Sequence, residues 1–357
     1  PHLLRTRRRQ RQMCIRDRVW RKYISKVMKK ILIITDAWEP QVNGVVTTMT
    51  TVVQKLRDKK FAVDVIHPGM FHTFPLPNYA EISVECNFWD LKKKIEKFDA
   101  DYINISVEGP LGITARHYCL EHKIPYTTCI HTKFPEYVYE RFGIGLDVTK
   151  GLLKWFHNSA AKTLVNTISH KEELEKDGFT DLVLWSRGFD ERIFYPCPDG
   201  GKKKYLLYVG RVAVEKNIEE FLKMPSELPK VVVGGGPSLK SYAKKYPDVD
   251  FVGFKKGKEL ADYYRDAACF VFPSLTDTFG IVLIEALACG TPIAGFDVTG
   301  PKDIVIEGVN GSLDDENLEN AVKRALLVDR ISTFNSSKTY TWDKVAEQFI
   351  DSLVPMK

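Results

Sequence analysis

The sequence predicts an α/β protein built from two doubly wound, parallel-sheet domains facing a cleft. Three observations predict it. At about 150 residues per domain, 357 residues suit two domains. From about Met28 onward, short apolar runs alternate with helical patterns, the signature of strand–helix–strand units. That alternation breaks once, near Pro196–Lys204, and then restarts.

Taken in order, the first domain spans residues 28–195. It opens on Ile31-Leu32-Ile33-Ile34, a continuous apolar run that suits a strand buried on both faces. A loop from Asp36 to Gly44 leads into a helix reaching about Lys59. Further strands are expected at Phe61–Ile66, Tyr102–Ile105, Tyr126–Ile130 and Thr163–Asn166. Pro196, Pro198, Gly200 and Gly201, then Lys202-Lys203-Lys204, read as a linker. The second domain, residues 196–338, has expected strands at Tyr205–Val209, Lys230–Val233, Asp250–Val252, Cys269–Phe272 and Pro292–Ala294. Trp342–Leu353 reads as a closing amphipathic helix within residues 339–357. Both halves are Rossmann-like, so ligands are expected beyond the carboxyl ends of the strands.

Composition narrows the functional classes. Nothing approaches the ~18 consecutive apolar residues of a spanning helix, so membrane contact is expected to be peripheral. The net charge of +6 is misleading, because residues 1–27 hold ten basic side chains and one acid and leave −3 for the remainder. This segment has no apolar periodicity, and Met13-Cys14-Ile15-Arg16-Asp17-Arg18 resembles translated sequencing-adapter DNA. It is expected to be non-native, and no nucleic-acid partner is expected from it. Seven cysteines without a C-x-x-C pair argue against a disulfide framework or zinc site and fit a reducing, cytoplasmic setting. Cys129, Cys269 and Cys289 sit in apolar surroundings and are expected in the core.

Three loops, each after an expected strand, carry the chemistry. Ser274-Leu275-Thr276-Asp277-Thr278-Phe279-Gly280 runs into a helix expected to start near Phe279. The unpaired N–H groups of such a helix start attract anions. Glu285, further along that helix, can accept from a ribose diol, while a cap formed by Asp277 or Thr278 is the plainer alternative. Gly210-Arg211-Val212-Ala213-Val214-Glu215-Lys216-Asn217 supplies two cations able to reach one diphosphate. Gly234-Gly235-Gly236-Pro237 lets backbone N–H groups approach a phosphate or base. Each is weak alone, and together they are far more specific.

The order G-R-x-x-x-E-K-N, G-G-G-P and S-L-T-D-T-F-G-I-V-L-I-E-A resembles family four of the retaining glycosyltransferases, with the GT-B fold. The resemblance extends over Met28 to Leu353. Its first acid is Asp277 where Glu is commoner, and the T-D-T-F-G form resembles a branch labelled mannosyl- or lipid glycosyltransferases. The resemblance implies that Glu285 holds the ribose and Arg211 and Lys216 the diphosphate. The N–H groups around Thr278, Phe279 and Gly280 would meet sugar or phosphates. It implies that Gly44, in a loop where Asn43 replaces another glycine, approaches the donor, and that His131 reaches the transferred sugar. Attack on the same face is implied, with the leaving phosphate taking the acceptor proton, so neither Asp277 nor Glu285 is assigned as nucleophile.

Fixed cations then make a metal or other cofactor unnecessary, and none is expected. The partners implied are a nucleotide-diphosphate sugar and a lipid or glycan acceptor. Lys150–His157 mixes apolar and cationic residues and suits a membrane patch, although a core helix with two solvated lysines is the commoner arrangement. Glu108-Gly109-Pro110 is a further candidate on the cleft side, and Arg187-Gly188-Phe189-Asp190 resembles an architectural turn. Two other readings compete: a sugar-nucleotide enzyme of another kind, such as an epimerase, and a non-catalytic nucleotide-sugar binder. Arg211 and Lys216 with Asp277 and Glu285 argue against the first, and His131, Arg211, Lys216 and Glu285 together against the second.

Overall fold

The computed structural model describes residues 28–41, 44–71, 73–76, 79–85, 88–131, 145–197 and 204–356. The basic segment 1–27, Asn43, Cys86, residues 132–137 and most of the linker, 198–203, lie outside the described residues. The chain begins with β1 (Lys30–Ile34), α1 (Gly44–Asp58), β2 (Ala62–Ile66), β3 (Thr73–Leu76), β4 (Tyr79–Glu85), α2 (Phe88–Phe98), β5 (Tyr102–Ile105) and α3 (Pro110–Glu121). It continues with β6 (Thr127–Cys129), α4 (Leu146–His157), β7 (Lys162–Val165), α5 (Ile168–Lys176) and β8 (Leu182–Leu184). The later elements start with β9 (Leu206–Val209), α6 (Ile218–Lys223), β10 (Lys230–Val233), α7 (Leu239–Lys245), β11 (Val249–Gly253) and α8 (Gly257–Asp266). They end with β12 (Cys269–Phe272), α9 (Ile281–Ala288), β13 (Ile293–Phe296), α10 (Pro301–Ile304), β14 (Gly311–Asp314), α11 (Leu318–Ala325), α12 (Arg330–Ser337) and α13 (Trp342–Ser352).

Two parallel six-stranded sheets result, in the orders β2-β1-β5-β6-β7-β8 and β11-β10-β9-β12-β13-β14. All the strands expected from apolar runs are present, within a residue or two at their ends. Three features went unread. β8 and β14 are edge strands of three and four residues. The antiparallel pair β3–β4 carries Pro75 inside a strand, which is tolerated only at a sheet edge and disguises the strand in sequence.

The described residues form two compact units: those up to Gln41, within Val53–Tyr126 and after Leu353, and those within Val42–Val52 and Thr127–Leu353. In the first unit, Ile31, Leu32, Ile33 and Ile34 are fully buried, as their uniform apolarity requires. Asp36, just past β1, accepts from Leu111 N at 3.0 Å and Gly112 N at 3.2 Å, so it caps α3. Burial pushes its carboxyl up to about 6. A Cβ at Gly109 would stand 2.3 Å from Asp36 Cγ, so the Glu108–Pro110 stretch is shaped by this cap.

In the second unit, successive residues of β9 and β12 enter opposite cores. Leu207, Val209, Phe270 and Phe272 pack on one face, and Leu206, Tyr208, Cys269 and Val271 on the other. Cys129 and Cys289 are buried as well. The closing helix α13 returns to β8, where Trp185 Nε1 donates to Val345 O at 3.1 Å and Phe349 packs 5.4 Å from the Trp185 ring. Gly188 permits this approach, because a Cβ there would meet the Trp342 backbone N at 2.8 Å.

Candidate active site

In the second sheet β9 and β12 are neighbours, but the chain leaves them in opposite directions. The loops after such a pair diverge and leave a crevice at the strands' carboxyl ends. That topology brings together two segments far apart in sequence. Lys216, after β9, forms an ion pair with Asp277, after β12, at 2.6 Å. Asn217, in a left-handed conformation (φ 51°), donates from Nδ2 to Pro273 O at 3.1 Å and ties the two loops. Arg211 stands nearby, 3.7 Å from Glu215, and is half exposed. Both cations read as diphosphate ligands are therefore engaged by carboxylates, Lys216 closely and Arg211 loosely.

The helix after Asp277 starts later than expected. Gly280, at φ 81°, is its N-cap, and α9 begins at Ile281. Neither Asp277 nor Thr278 caps it, and no side chain does. A left-handed residue at this turn explains why glycine stands there. Phe279 is buried and packs edge-on against Tyr340, so its ring anchors the loop.

A second convergence comes from three neighbouring parallel strands, β6, β7 and β8. Just past their carboxyl ends stand His131, Asn166 and Arg187. Asn166 Nδ2 donates to His131 O and to Thr278 Oγ1, both at 3.1 Å. Thr278 Oγ1 donates to His131 O at 3.0 Å. Arg187 is buried, lies 4.4 Å over the Trp185 ring, and bonds Asn166 Oδ1 and His131 Nδ1, the latter at 3.1 Å. Thr278 thus joins the loop after β12 to the ends of β6 and β7.

These residues line a cavity of about 670 Å³ within the second unit, a volume typical of small-molecule sites. Gly44, His131, Arg211, Lys216, Asp277, Thr278, Phe279 and Gly280 all line it, as do Asn166, Arg187, Tyr208 and Ser274. Ser274 Oγ is buried there without a hydrogen-bond partner, a costly state that a ligand would relieve. Asn166 read only as the end of a strand and Arg187 as architecture. The available signal was their position: polar residues where an apolar parallel strand ends.

Three expected site residues do not line this cavity. Gly234 (φ 138°) and Gly236 serve loop packing, since a Cβ on them would meet Gly210 O at 1.9 Å and Val212 O at 2.3 Å. The loops after β9 and β10 lie against each other, with Val212 N donating to Gly235 O at 2.9 Å. Glu285 sits deeper along α9 and accepts from Tyr264 OH at 3.1 Å. Burial pushes its carboxyl up to about 7.

The Lys150–His157 stretch is part of α4, on which Lys150 is half-buried and Lys154 exposed. Leu153 and Phe156 are buried, whereas Val148, Leu152 and Trp155 form an exposed stripe at helical spacing. Lys150 pairs with Asp177 at 2.8 Å and Lys154 donates to Asp177 O at 3.3 Å, so both lysines brace α5. Among the described residues no helix is long and apolar enough to cross a membrane.

Comparison with known proteins gives the chain's family and fold. Residues 42–192 match the model described as Glycosyltransferase Family 4, and residues 192–331 the one described as Glycosyl transferases group 1. A GDP-mannose-dependent alpha-mannosyltransferase of Corynebacterium glutamicum is 27% identical, over 90% of this chain and 87% of that protein. An alpha-monoglucosyldiacylglycerol synthase of Streptococcus pneumoniae is 24% identical over 84% and 78%. The solved sucrose-phosphate synthase of Thermosynechococcus elongatus superposes with a TM-score of 0.71 at 18% identity, covering 90% of this chain and 98% of that one.

Proposed function

From a chain that belongs to the group 1, family 4 glycosyltransferases and has the GT-B fold, we propose a retaining transferase that moves a hexose from a nucleotide-diphosphate sugar to a hydroxyl acceptor. The observation that carries this reading is the Lys216–Asp277 pair beside Arg211, at the strand switch and next to the Gly280 turn. A diphosphate entering here offers Lys216 a stronger partner than a single carboxylate. Lys216 and Arg211 then stabilise the charge that develops on the leaving phosphate. Asp277, released from Lys216, accepts hydroxyl hydrogens of the sugar. The N–H groups at the start of α9 add a fixed positive field. The departing phosphate takes the acceptor's proton, so no enzyme carboxylate becomes covalently bound. Glu285 does not line the cavity as it stands, and its assignment to the ribose rests on the family resemblance. With fixed cations in these places no divalent metal is required, and turnover is expected to survive chelation by EDTA.

GDP-mannose is the first donor to test, because the C. glutamicum relative carries it in its name. UDP-glucose is the second. For the acceptor we favour a membrane lipid of the diacylglycerol type, reached from a peripheral position. The stripe Val148, Leu152 and Trp155 on α4 supports this. Since Lys150 and Lys154 are engaged with Asp177, apolar insertion rather than charge would supply the attachment. The decisive experiment measures nucleoside diphosphate release from a panel of sugar nucleotides, with membrane extract as the acceptor source. Release from one donor and label in a lipid fraction supports the reading. No release from any donor by well-folded protein would defeat it.

A further inference from the structure

His131 and Arg187 stand at the ends of two strands that are not adjacent, β6 and β8, with β7 between them. Their contact, Arg187 Nη2 to His131 Nδ1 at 3.1 Å, has only one possible direction. A guanidinium donates and never accepts. His131 Nδ1 must therefore carry a lone pair, and the ring's proton lies on Nε2. We infer that Arg187 is a positioning residue that fixes His131 as the Nε2–H tautomer, so that His131 offers the transferred sugar a hydrogen-bond donor and not a base. The inference rests on the transferase reading for its substrate, while the tautomer itself stands on geometry alone.

The surroundings of Arg187 show that it is spent on this task. Its four Nη hydrogens are matched by four acceptors: Trp185 O at 3.1 Å, Ser186 O at 3.0 Å, His131 Nδ1, and Asn166 Oδ1. No carboxylate is among them, which is unusual for a fully buried guanidinium. Burial lowers its pKa to about 10, which still leaves it charged at neutral pH. The plane of Trp185 under the guanidinium and Asn166 beside it restrict its rotation. Asn166 also holds the His131 carbonyl, so the backbone and the ring of His131 are fixed by the same pair of side chains.

A consequence follows for the reaction. A neutral imidazole with its proton on Nε2 has no lone pair facing away from Arg187. It cannot remove the acceptor's proton, and that proton must leave on the diphosphate. A donor at Nε2 can be replaced by the amide of glutamine, whereas a base cannot.

The test combines spectroscopy with a substitution cycle on the full chain. In protein carrying ¹⁵N-labelled histidine, with His131 assigned by its loss in His131→Gln, the wild type is expected to show a protonated Nε2 and an unprotonated Nδ1. Arg187→Met is expected to show exchange between tautomers. In kcat/KM, His131→Gln should stay within about tenfold of wild type while His131→Ala falls about a hundredfold, the range of one lost donor. Arg187→Met should cost about tenfold in the wild-type background and almost nothing beside His131→Gln, since coupled residues are not additive. Arg187→Lys, which retains a donor, should recover part of the loss. A proton on Nδ1 in the wild type overturns the inference, whether or not any variant folds. Equal losses in His131→Gln and His131→Ala, or full additivity with Arg187→Met, also overturn it. The expected tautomer in a protein that turns over no sugar nucleotide would instead sink the transferase reading and leave the assignment of the ring proton intact.

Discussion

Two side chains carry the most direct predictions at the residue scale. Glu285 is held by Tyr264 in surroundings that push its carboxyl up to about 7. A ribose diol is bound best by the ionised form, because hydrogen bonds to a charged acceptor contribute about 1.5–3 kcal/mol against about 1 for a neutral one. Above pH 7 the carboxylate prevails. As pH falls through 7 it gains a proton and loses that advantage. The donor KM should therefore rise up to about tenfold between pH 8 and pH 6, and Glu285→Gln should flatten the profile. Tyr264→Phe removes a bond that favours the ionised form, so the rise should begin at higher pH. Lys216 is the second case. Lys216→Ala should lower kcat by about 10²–10³, the range for one donor aimed at developing charge. Steady-state kinetics with saturating donor measures it, and unchanged kcat would remove Lys216 from the leaving-group role.

At the scale of elements, the turns matter more than the helices and strands that they join. The glycines after β10 make room for the loop after β9, whether or not their N–H groups also meet a ligand. Gly234→Ala would place a methyl group 1.9 Å from Gly210 O at a backbone angle that disfavours side chains. Such a clash in a well-packed region costs about 1–3 kcal/mol, and the thermal midpoint should fall by several degrees. Lost donor affinity with unchanged stability in Gly234→Ala would instead favour the ligand role. Gly280 is different, since its left-handed turn sets where α9 begins and hence where the first N–H groups of that helix stand. The alternation of strand and helix was legible because strands buried on both faces must be uniformly apolar. The edge strand β14 was not legible, because Gly311-Ser312-Leu313-Asp314 has no apolar run and a strand with one neighbour does not need one.

At the scale of the whole molecule, the chain's last helix stabilises the strands that hold the site. α13 lies against β8, where Phe349 and Trp185 are both fully buried. Phe349→Ala should lower the unfolding free energy by about 3–5 kcal/mol, read as a shift in denaturant midpoint. It should also weaken the Arg187–His131 contact, which is built on the same strand end. A midpoint like that of the wild type would mean that α13 packs independently of the site. By itself the sequence determined the class of fold, most of the strands, the family, and most of the residues that line the cavity, because these depend on local apolarity and on short spacings. Only the tertiary structure decided which of those residues meet. Lys216 and Asp277 are 61 positions apart and pair because two strands from opposite sides of a topological switch lie side by side. Arg187 reaches His131 across 56 positions because three parallel strands end at one level. No local pattern encodes a contact of that range, since it depends on the order of strands in the sheet.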